Sequence, residues 1–261
     1  MYVFEEGISG LADWIQDELD LDGRLMVGAS GLAVRRVQEW LSLRGYGLAI
    51  DGIYGPITSE VVARFQEDSF LEATGRVNEE TVVHLTEPMR ETLRQRLTMS
   101  EAVNAAVLEY AQAHLDQHPH EIGGQNRGPW VRMYMNGNDG HQWPWCAGFV
   151  TFILRQATES LNIGMPIPGS FSCDTLVAQA RAAGLFLSEA EARSTEIPPG
   201  SLFLVRRTDT DWTHVGLVQN TQELSFQTIE GNTNDEGDRE GYEVCSRSRG
   251  YTNKDFILVS R

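Results

Sequence analysis

The order of two hydrophobic periodicities along the chain constrains its fold more than any other feature. Up to residue 183 the apolar residues recur mainly at the spacing of helices, and after the Pro198-Pro199-Gly200 turn they follow the pattern of strands. The predicted strands cover residues 201–206, 213–220, 223–232 and 256–260. Strands that are adjacent in sequence pair most simply in an antiparallel sheet. The sequence therefore predicts an α+β fold in which helices come first and an antiparallel sheet follows.

A half-repeat of turn and helix lies in the helical part of the chain. Gly52 precedes Thr58 by six residues, Gly75 precedes Thr81 by the same distance, and each pair stands at the start of an expected helix. Two such units packed on a first helix make a domain of about 60 residues, a size that can just fold alone. The sequence thus predicts a small three-helix N-terminal domain. The full predicted organisation is an arm, this small domain, a polar linker and a larger α+β domain, at residues 1–28, 29–88, 89–99 and 100–261.

Charge and cysteine content exclude several classes of partner. The chain has 21 Lys and Arg against 37 Asp and Glu, a formal net charge of −16. This balance argues against nucleic acid or an anionic membrane surface as the partner. Three cysteines are too few and too scattered for a disulfide framework. No stretch approaches the roughly 18 apolar residues of a transmembrane helix, so we expect no membrane insertion. We also expect a monomer.

Cys146 has the sequence context of a reactive thiol. It follows Pro144-Trp145 directly and opens a well-patterned helix. Because proline is favoured in the first turn, the thiol is expected at the helix N-terminus, where the helix dipole stabilises a thiolate. Cys173 and Cys245 show no such placement, and we expect them to be small buried side chains.

His214 is the candidate base for this thiol. It begins an apolar strand, THVGLVQN, and the next strand has the sequence ELSFQTIEGN. If the two strands form a hairpin that turns near residues 221–223, His214 lies opposite Glu230, and Asn232 points to the same face. A carboxylate at this position can orient the imidazole and stabilise its charged form. The sequence therefore predicts a thiol, an imidazole and a polar acceptor in one site.

Other histidines leave alternatives open. His141 lies in the loop five residues before Cys146 and remains a second candidate base. His114 and His118, one helical turn apart, could share a metal ion, but no third ligand follows at motif spacing, so no metal site is predicted. His84 is expected at the surface of the small domain.

Three motifs resemble the CHAP-type cysteine amidase/peptidase family, within the NlpC/P60-like, papain-related group. They are PWCAGF around Cys146, THVGLV around His214 and IEGN ending at Asn232, and they occur in the family's order. The resemblance implies a papain-like α+β domain with an antiparallel sheet. It also implies that Cys146 is the nucleophile, that His214 is the general base, and that Glu230 and Asn232 orient His214. It does not decide which of these two is the third catalytic residue.

A second resemblance covers residues 30–88. The string VQEWLSLRGYGLAIDGIYGPITSEVVARFQ is similar to the three-helix peptidoglycan-binding domain found on many wall hydrolases. The resemblance makes Asp51 and Tyr54 candidate substrate contacts in this domain, and Trp145 is a further candidate beside the nucleophile. Both resemblances agree on peptidoglycan as the partner.

Together the two resemblances imply a peptidoglycan hydrolase that cleaves an amide of the stem peptide, or the muramoyl–L-alanine linkage, by Cys-His catalysis. The alternative is a non-catalytic wall-binding protein with a degenerate hydrolase domain. No cofactor is expected. Some members of the family hold calcium in an Asp-rich loop before the cysteine, and calcium stays an alternative although the loop at residues 136–141 offers a single carboxylate, Asp139.

The start of the sequence bears on where such an enzyme would act. The first residues, MYVFEEGISGLADW, lack the basic and apolar regions of a secretory signal peptide. We therefore expect synthesis in the cytoplasm and action in the periplasm or cell wall. The route would be holin-type release of a phage-type endolysin, or injection of an antibacterial effector that has an immunity protein as partner.

Overall fold

The computed structural model describes residues 1–5, 7–21, 25–96, 102–234 and 241–259, and within them the fold is mixed α+β, as predicted. The helices are α1 (Asp13–Leu19), α2 (Leu32–Leu43), α3 (Pro56–Asp68), α4 (Glu79–Leu93), α5 (Val103–Asp116), α6 (Pro129–Tyr134), α7 (Cys146–Ser160), α8 (Cys173–Ala183) and α9 (Glu189–Ala192). The strands are β1 (Phe186–Leu187), β2 (Leu202–Thr208), β3 (Asp211–Thr221), β4 (Ser225–Thr233), β5 (Glu243–Gly250) and β6 (Lys254–Ile257). Of the helices in the described ranges, none is both long and apolar enough to cross a membrane.

The chain forms two compact units that are discontinuous in sequence. We call residues 6–91 with 120–142 the N-terminal unit, and residues 1–5, 92–119 and 143–261 the C-terminal unit. The predicted organisation has linear boundaries instead. Helix α4 continues through Pro88, where the sequence predicts the small domain to end, and residues 97–99 of the predicted linker lie outside the described residues.

In the N-terminal unit, buried glutamines hold both turns of the half-repeat. Gln38 accepts a hydrogen bond from the Gly52 amide at 2.8 Å, and Gln66 accepts one from the Gly75 amide at 3.0 Å. Each glutamine also donates to the threonine six residues beyond the glycine. Both glycines have φ near +70°, the left-handed region that favours glycine. The residues shared by the half-repeat therefore build the turns.

A buried ion-pair network joins α1, α2 and α6 within the same unit. The Arg132 guanidinium donates to Glu18 at 2.7 and 2.9 Å, to Glu39 at 2.6 Å and to Asp139 at 3.0 Å. These contacts attach residues 120–142 to the three-helix domain. The sequence predicts only a loop at 123–141. Helix α6 is six residues long, and the contacts that hold it join Arg132 to residues that are distant in the sequence.

Among the described residues of the C-terminal unit, six antiparallel strands form one sheet in the order β1-β6-β2-β3-β4-β5. Helix α7 packs against α5 and against β3 and β4. The four predicted strands correspond to β2, β3, β4 and β6, although residue 260 lies outside the described residues. The prediction lacks the two edge strands, β1 and β5, of which β5 pairs with β4, the strand of Glu230.

Candidate active site

The site is built where α7 begins. Cys146 is the first residue of this helix, after Trp145 at the N-cap, and 7% of its surface is exposed. The first amides of a helix have no acceptor within it, and together with the helix dipole they favour negative charge at this end. The sequence thus predicts the placement of the thiol well, although Pro144 precedes the cap and does not lie in the first turn.

The hairpin of β3 and β4 brings His214 and Glu230 together in a register that differs from the prediction. Leu217 lies opposite Ile229, two positions from the expected partner, because the turn comes later and β3 carries a bulge. A shift of two positions keeps every side chain on its face. Glu230 therefore still reaches the imidazole, with 2.8 Å between His214 Nε2 and Glu230 Oε2.

Two glycines make room for this arrangement. A Cβ on Gly216 would lie 2.8 Å from Glu230 Cγ, and a Cβ on Gly231 would lie 2.7 Å from the Phe149 side chain on α7. Such distances are too short for carbon atoms to be in contact without displacement. Gly216 therefore leaves space for the carboxylate, and Gly231 lets α7 approach β4.

Glu230 is a fully buried carboxylate with several donors. Arg249 on β5 donates to both of its oxygens, at 2.8 and 2.5 Å, and the Thr228 hydroxyl donates to Oε1 at 2.6 Å. Burial alone would raise the pKa of Glu230, but the hydrogen bonds from Arg249 and His214 hold it well below its usual range. Glu230 is therefore a permanent anion beside the imidazole.

The pKa values of Cys146 and His214 are shifted in opposite directions. Burial lowers the pKa of His214, but the hydrogen bonds to Cys146 and Glu230 outweigh it and raise this pKa to about 9. A hydrogen bond from Cys173, followed by the hydrogen bond and the positive charge of His214, lowers the pKa of the Cys146 thiol well below its usual range despite burial. Both shifts favour the form of the pair with a thiolate and an imidazolium.

Asn232 lies in the site, but its side chain forms hydrogen bonds with backbone groups and not with His214. Its Oδ1 accepts from the Trp145 amide at 2.7 Å, and its Nδ2 donates to the Gly241 carbonyl at 2.7 Å. Its φ is +54°, a left-handed conformation that asparagine tolerates. The geometry therefore makes Asn232 an anchor for the start of α7, which differs from the orienting role implied by the resemblance.

Two of the predicted substrate contacts are corrected by burial. The side chain of Trp145 is fully buried, and Tyr54 is 1% exposed, with its hydroxyl donating to the Gly75 carbonyl at 3.0 Å. Neither ring can contact a ligand while it fills the core. Asp51 is exposed, and its Oδ1 accepts hydrogen bonds from Gln38 at 2.8 Å and from the Ile53 amide at 2.8 Å.

The residues of the two metal alternatives make other contacts in the structure. In the parts of the chain that the structure describes, no three His, Cys, Asp or Glu side chains are grouped as a metal site. His114 is buried, which lowers its pKa to about 3, and its Nε2 lies 2.9 Å from Gln156 Oε1. Asp139 already accepts from Arg132 and lies 3.8 Å from Arg127, so this carboxylate is neutralised by arginines and poorly suited to calcium.

The sequence analysis did not identify Arg249 as a partner of Glu230, and it did not predict that Cys173 opens a helix. Arg249 lies in the segment EVCSRSRG, in which the arginines are half-buried and the serines at 246 and 248 are exposed. This alternation is the pattern of a strand with one face turned inward. Cys173 opens α8 just after Ser172, whose side chain caps the helix. The helix-start signal that identifies Cys146 is therefore present here as well.

Comparisons with known proteins agree on the N-terminal helices. Residues 30–85 match the family model described as "Putative peptidoglycan binding domain", so α2, α3 and the beginning of α4 form a helical domain of that type. A comparison with curated proteins gives no match.

One crystal structure is similar over much of this chain. It is the "Fused Zn-dependent amidase/peptidase/peptodoglycan-binding domain-containing protein" from Clostridium acetobutylicum ATCC 824, with 14% identity and a TM-score of 0.24 over 87% of this chain. This chain spans 61% of the length of that protein. At so low a similarity, the activity of that protein says nothing about this one.

Proposed function

We propose that this chain is a cysteine-dependent peptidoglycan hydrolase that cleaves an amide bond of the stem peptide or the muramoyl–L-alanine linkage. The observation that carries the proposal is the arrangement at the start of α7, where Cys146 opens the helix and His214 has Glu230 bonded to its imidazole at 2.8 Å. The shifts of both pKa values, which favour a thiolate and an imidazolium, support it. The peptidoglycan-binding type of domain at residues 30–85 supports the substrate class.

The residues of the site suffice for amide hydrolysis. The Cys146 thiolate attacks the amide carbonyl carbon, and the first amides of α7 stabilise the oxyanion that develops. The His214 imidazolium then gives its proton to the leaving amine, and a thioester remains. Neutral His214 next takes a proton from water, whose hydroxide releases the acid product and restores the thiolate. Throughout, Glu230 stabilises the charged form of the imidazole.

The binding domain would contribute by keeping the enzyme at its substrate. A module tethered in the same chain turns encounter with the next bond into an intramolecular event with a high effective concentration. Weak binding of peptidoglycan through residues 30–85 is then sufficient. The net charge of −16 gives no attraction to carboxylate-rich stem peptides, so we expect recognition by shape and hydrogen bonds.

The experiment compares the intact protein with two variants on purified sacculi. Wild type is expected to lower the turbidity and to release new amino groups, whereas Cys146→Ala and His214→Gln should do neither. All three should sediment with sacculi to the same extent, because binding is assigned to residues 30–85. As a matched control, His141→Gln changes an exposed histidine outside residues 30–85 and should leave the rate unchanged.

The non-catalytic alternative predicts a different result. A wall-binding protein with a degenerate hydrolase domain would sediment with sacculi and release no amino groups in any variant. Equal release by wild type and Cys146→Ala would instead exclude the cysteine mechanism.

A further inference from the structure

Large apolar side chains are exposed where α2 and α3 begin in the N-terminal unit. We call this surface the apolar patch and define it by five residues: Met26, Val27, Leu32, Ile53 and Ile57. Each of them is between 43% and 72% exposed. Single exposed apolar residues are common on proteins, but several of them together mark a contact surface.

Backbone hydrogen bonds bring the two segments of the apolar patch together. Three amide–carbonyl bonds of 2.9 to 3.0 Å join residues 26–31 to residues 52–54. Leu32 is the first residue of α2, and Ile57 is the second residue of α3. Both helix starts therefore adjoin the paired segments, and the five side chains belong to one surface.

The half-repeat shows that a turn of this kind does not require apolar side chains at these positions. In the second turn Arg76 occupies the position of Ile53, and Glu80 occupies that of Ile57. Glu80 is exposed and is the second residue of α4, as Ile57 is of α3. The amides of Ile53 and Arg76 donate to side-chain oxygens at the matching positions 51 and 74, at 2.8 and 3.3 Å. The two isoleucines are thus not part of what builds the turn.

The charges around the apolar patch indicate which ligand it suits. Residues 26–33 and 51–57 contain one charged side chain, Asp51. This carboxylate repels the carboxylates of stem peptides. An uncharged ligand with apolar faces suits such a surface. The glycan strand of peptidoglycan has this chemistry, because its sugar rings present C–H faces and N-acetyl methyl groups.

We propose that the apolar patch is the surface through which the N-terminal unit binds the glycan strand of peptidoglycan. The inference rests on the proposed function, since the substrate class comes from the peptidoglycan-binding type of domain at residues 30–85. Ile53 and Ile57 pack on the apolar faces of the sugars. Covering about 60 Å² of their apolar area changes an affinity about tenfold, so loss of both isoleucines should weaken binding by about that factor.

The test exchanges both isoleucines for the residues of the second turn, in a full-length protein that carries Cys146→Ala so that the sacculi stay intact. The double variant Ile53→Arg/Ile57→Glu keeps the net charge and uses side chains that the second turn accommodates. It should need about tenfold more sacculi for half-maximal sedimentation. As a matched control, Phe70→Asn removes a ring that is 98% exposed elsewhere in the same unit, at a φ of +59° that asparagine tolerates, and should leave sedimentation unchanged.

Soluble probes separate the glycan strand from the stem peptide as the ligand. An oligomer of N-acetylglucosamine should compete with sacculi for the Cys146→Ala protein, whereas a free stem tripeptide should not. Competition by the tripeptide alone would overturn the assignment of the glycan strand.

A further variant covers the case in which the double variant does not fold. Leu32→Gln changes the same surface from α2 and should also weaken sedimentation. Equal sedimentation of the parent and a folded patch variant would overturn the inference, as would an equal loss in Phe70→Asn or a parent that does not sediment. If sedimentation depends on the patch while wild type releases no amino groups from sacculi, the patch assignment stands and the proposed hydrolase function fails.

Discussion

Replacing Glu230 by glutamine tests the electrostatics of the site most directly. The substitution keeps the shape of the side chain and removes the charge that lies 2.8 Å from His214 Nε2. A hydrogen bond to a charged group contributes about 1.5–3 kcal/mol, which corresponds to roughly one to two pH units. We therefore expect the pKa of His214, about 9 in the wild type, to fall by about 1.5 pH units in Glu230→Gln.

The direction of the pH effect follows from the charge of the imidazole. His214 must be protonated to supply the leaving amine with a proton, and this form is lost as the pH rises through its pKa. A fall of about 1.5 pH units reduces the protonated fraction about eightfold at pH 8.5 and hardly at all at pH 6.5. The alkaline limb of the pH–rate profile should therefore move towards neutral pH in Glu230→Gln.

The assay is the initial rate of amino-group release from sacculi between pH 5 and pH 10, together with an NMR titration of the His214 ring, which needs no substrate. The matched control is Glu189→Gln, which removes a carboxylate paired with Arg206 at 2.8 Å elsewhere in the same unit. It should leave the alkaline limb unchanged. If the His214 titration in Glu230→Gln coincides with that of the wild type, Glu230 does not set the charge of the imidazole and the reasoning is wrong.

Three further substitutions probe the frame of the site and the binding domain. Asn232→Ala removes the acceptor of the Trp145 amide and should lower the maximal rate on sacculi while leaving the alkaline limb in place, because no charge near the imidazole changes. Gly231→Ala pushes α7 away from β4 and should lower the free energy of unfolding in urea by about 1–3 kcal/mol, whereas Gly250→Ala, which has open space at its Cβ, should change it little. Tyr54→Phe should lower that free energy by about 1 kcal/mol without weakening sedimentation with sacculi, and weaker sedimentation of a folded variant would restore Tyr54 as a ligand contact.

The order of elements in the C-terminal unit could be predicted because each signal lies in neighbouring residues. The apolar run after Trp145 predicts a helix that begins at Cys146, and the structure begins α7 there. Alternation of apolar residues likewise predicts the strands of His214 and Glu230, since a strand displays every second residue on one face. A register error of two positions kept both side chains on the same face for the same reason.

Contacts between distant segments decided the rest. Arg249 lies 19 residues from Glu230 along the chain, and it reaches the carboxylate only because β5 pairs with β4. Hydrogen bonds attach the start of α8 and the residues before it to α7 and β3, which no local pattern encodes. The sequence by itself thus determined which residues carry thiol, imidazole and carboxylate chemistry and on which elements they lie. Only the tertiary structure decided their charges, because the pKa of each group depends on burial and on partners brought from elsewhere in the chain.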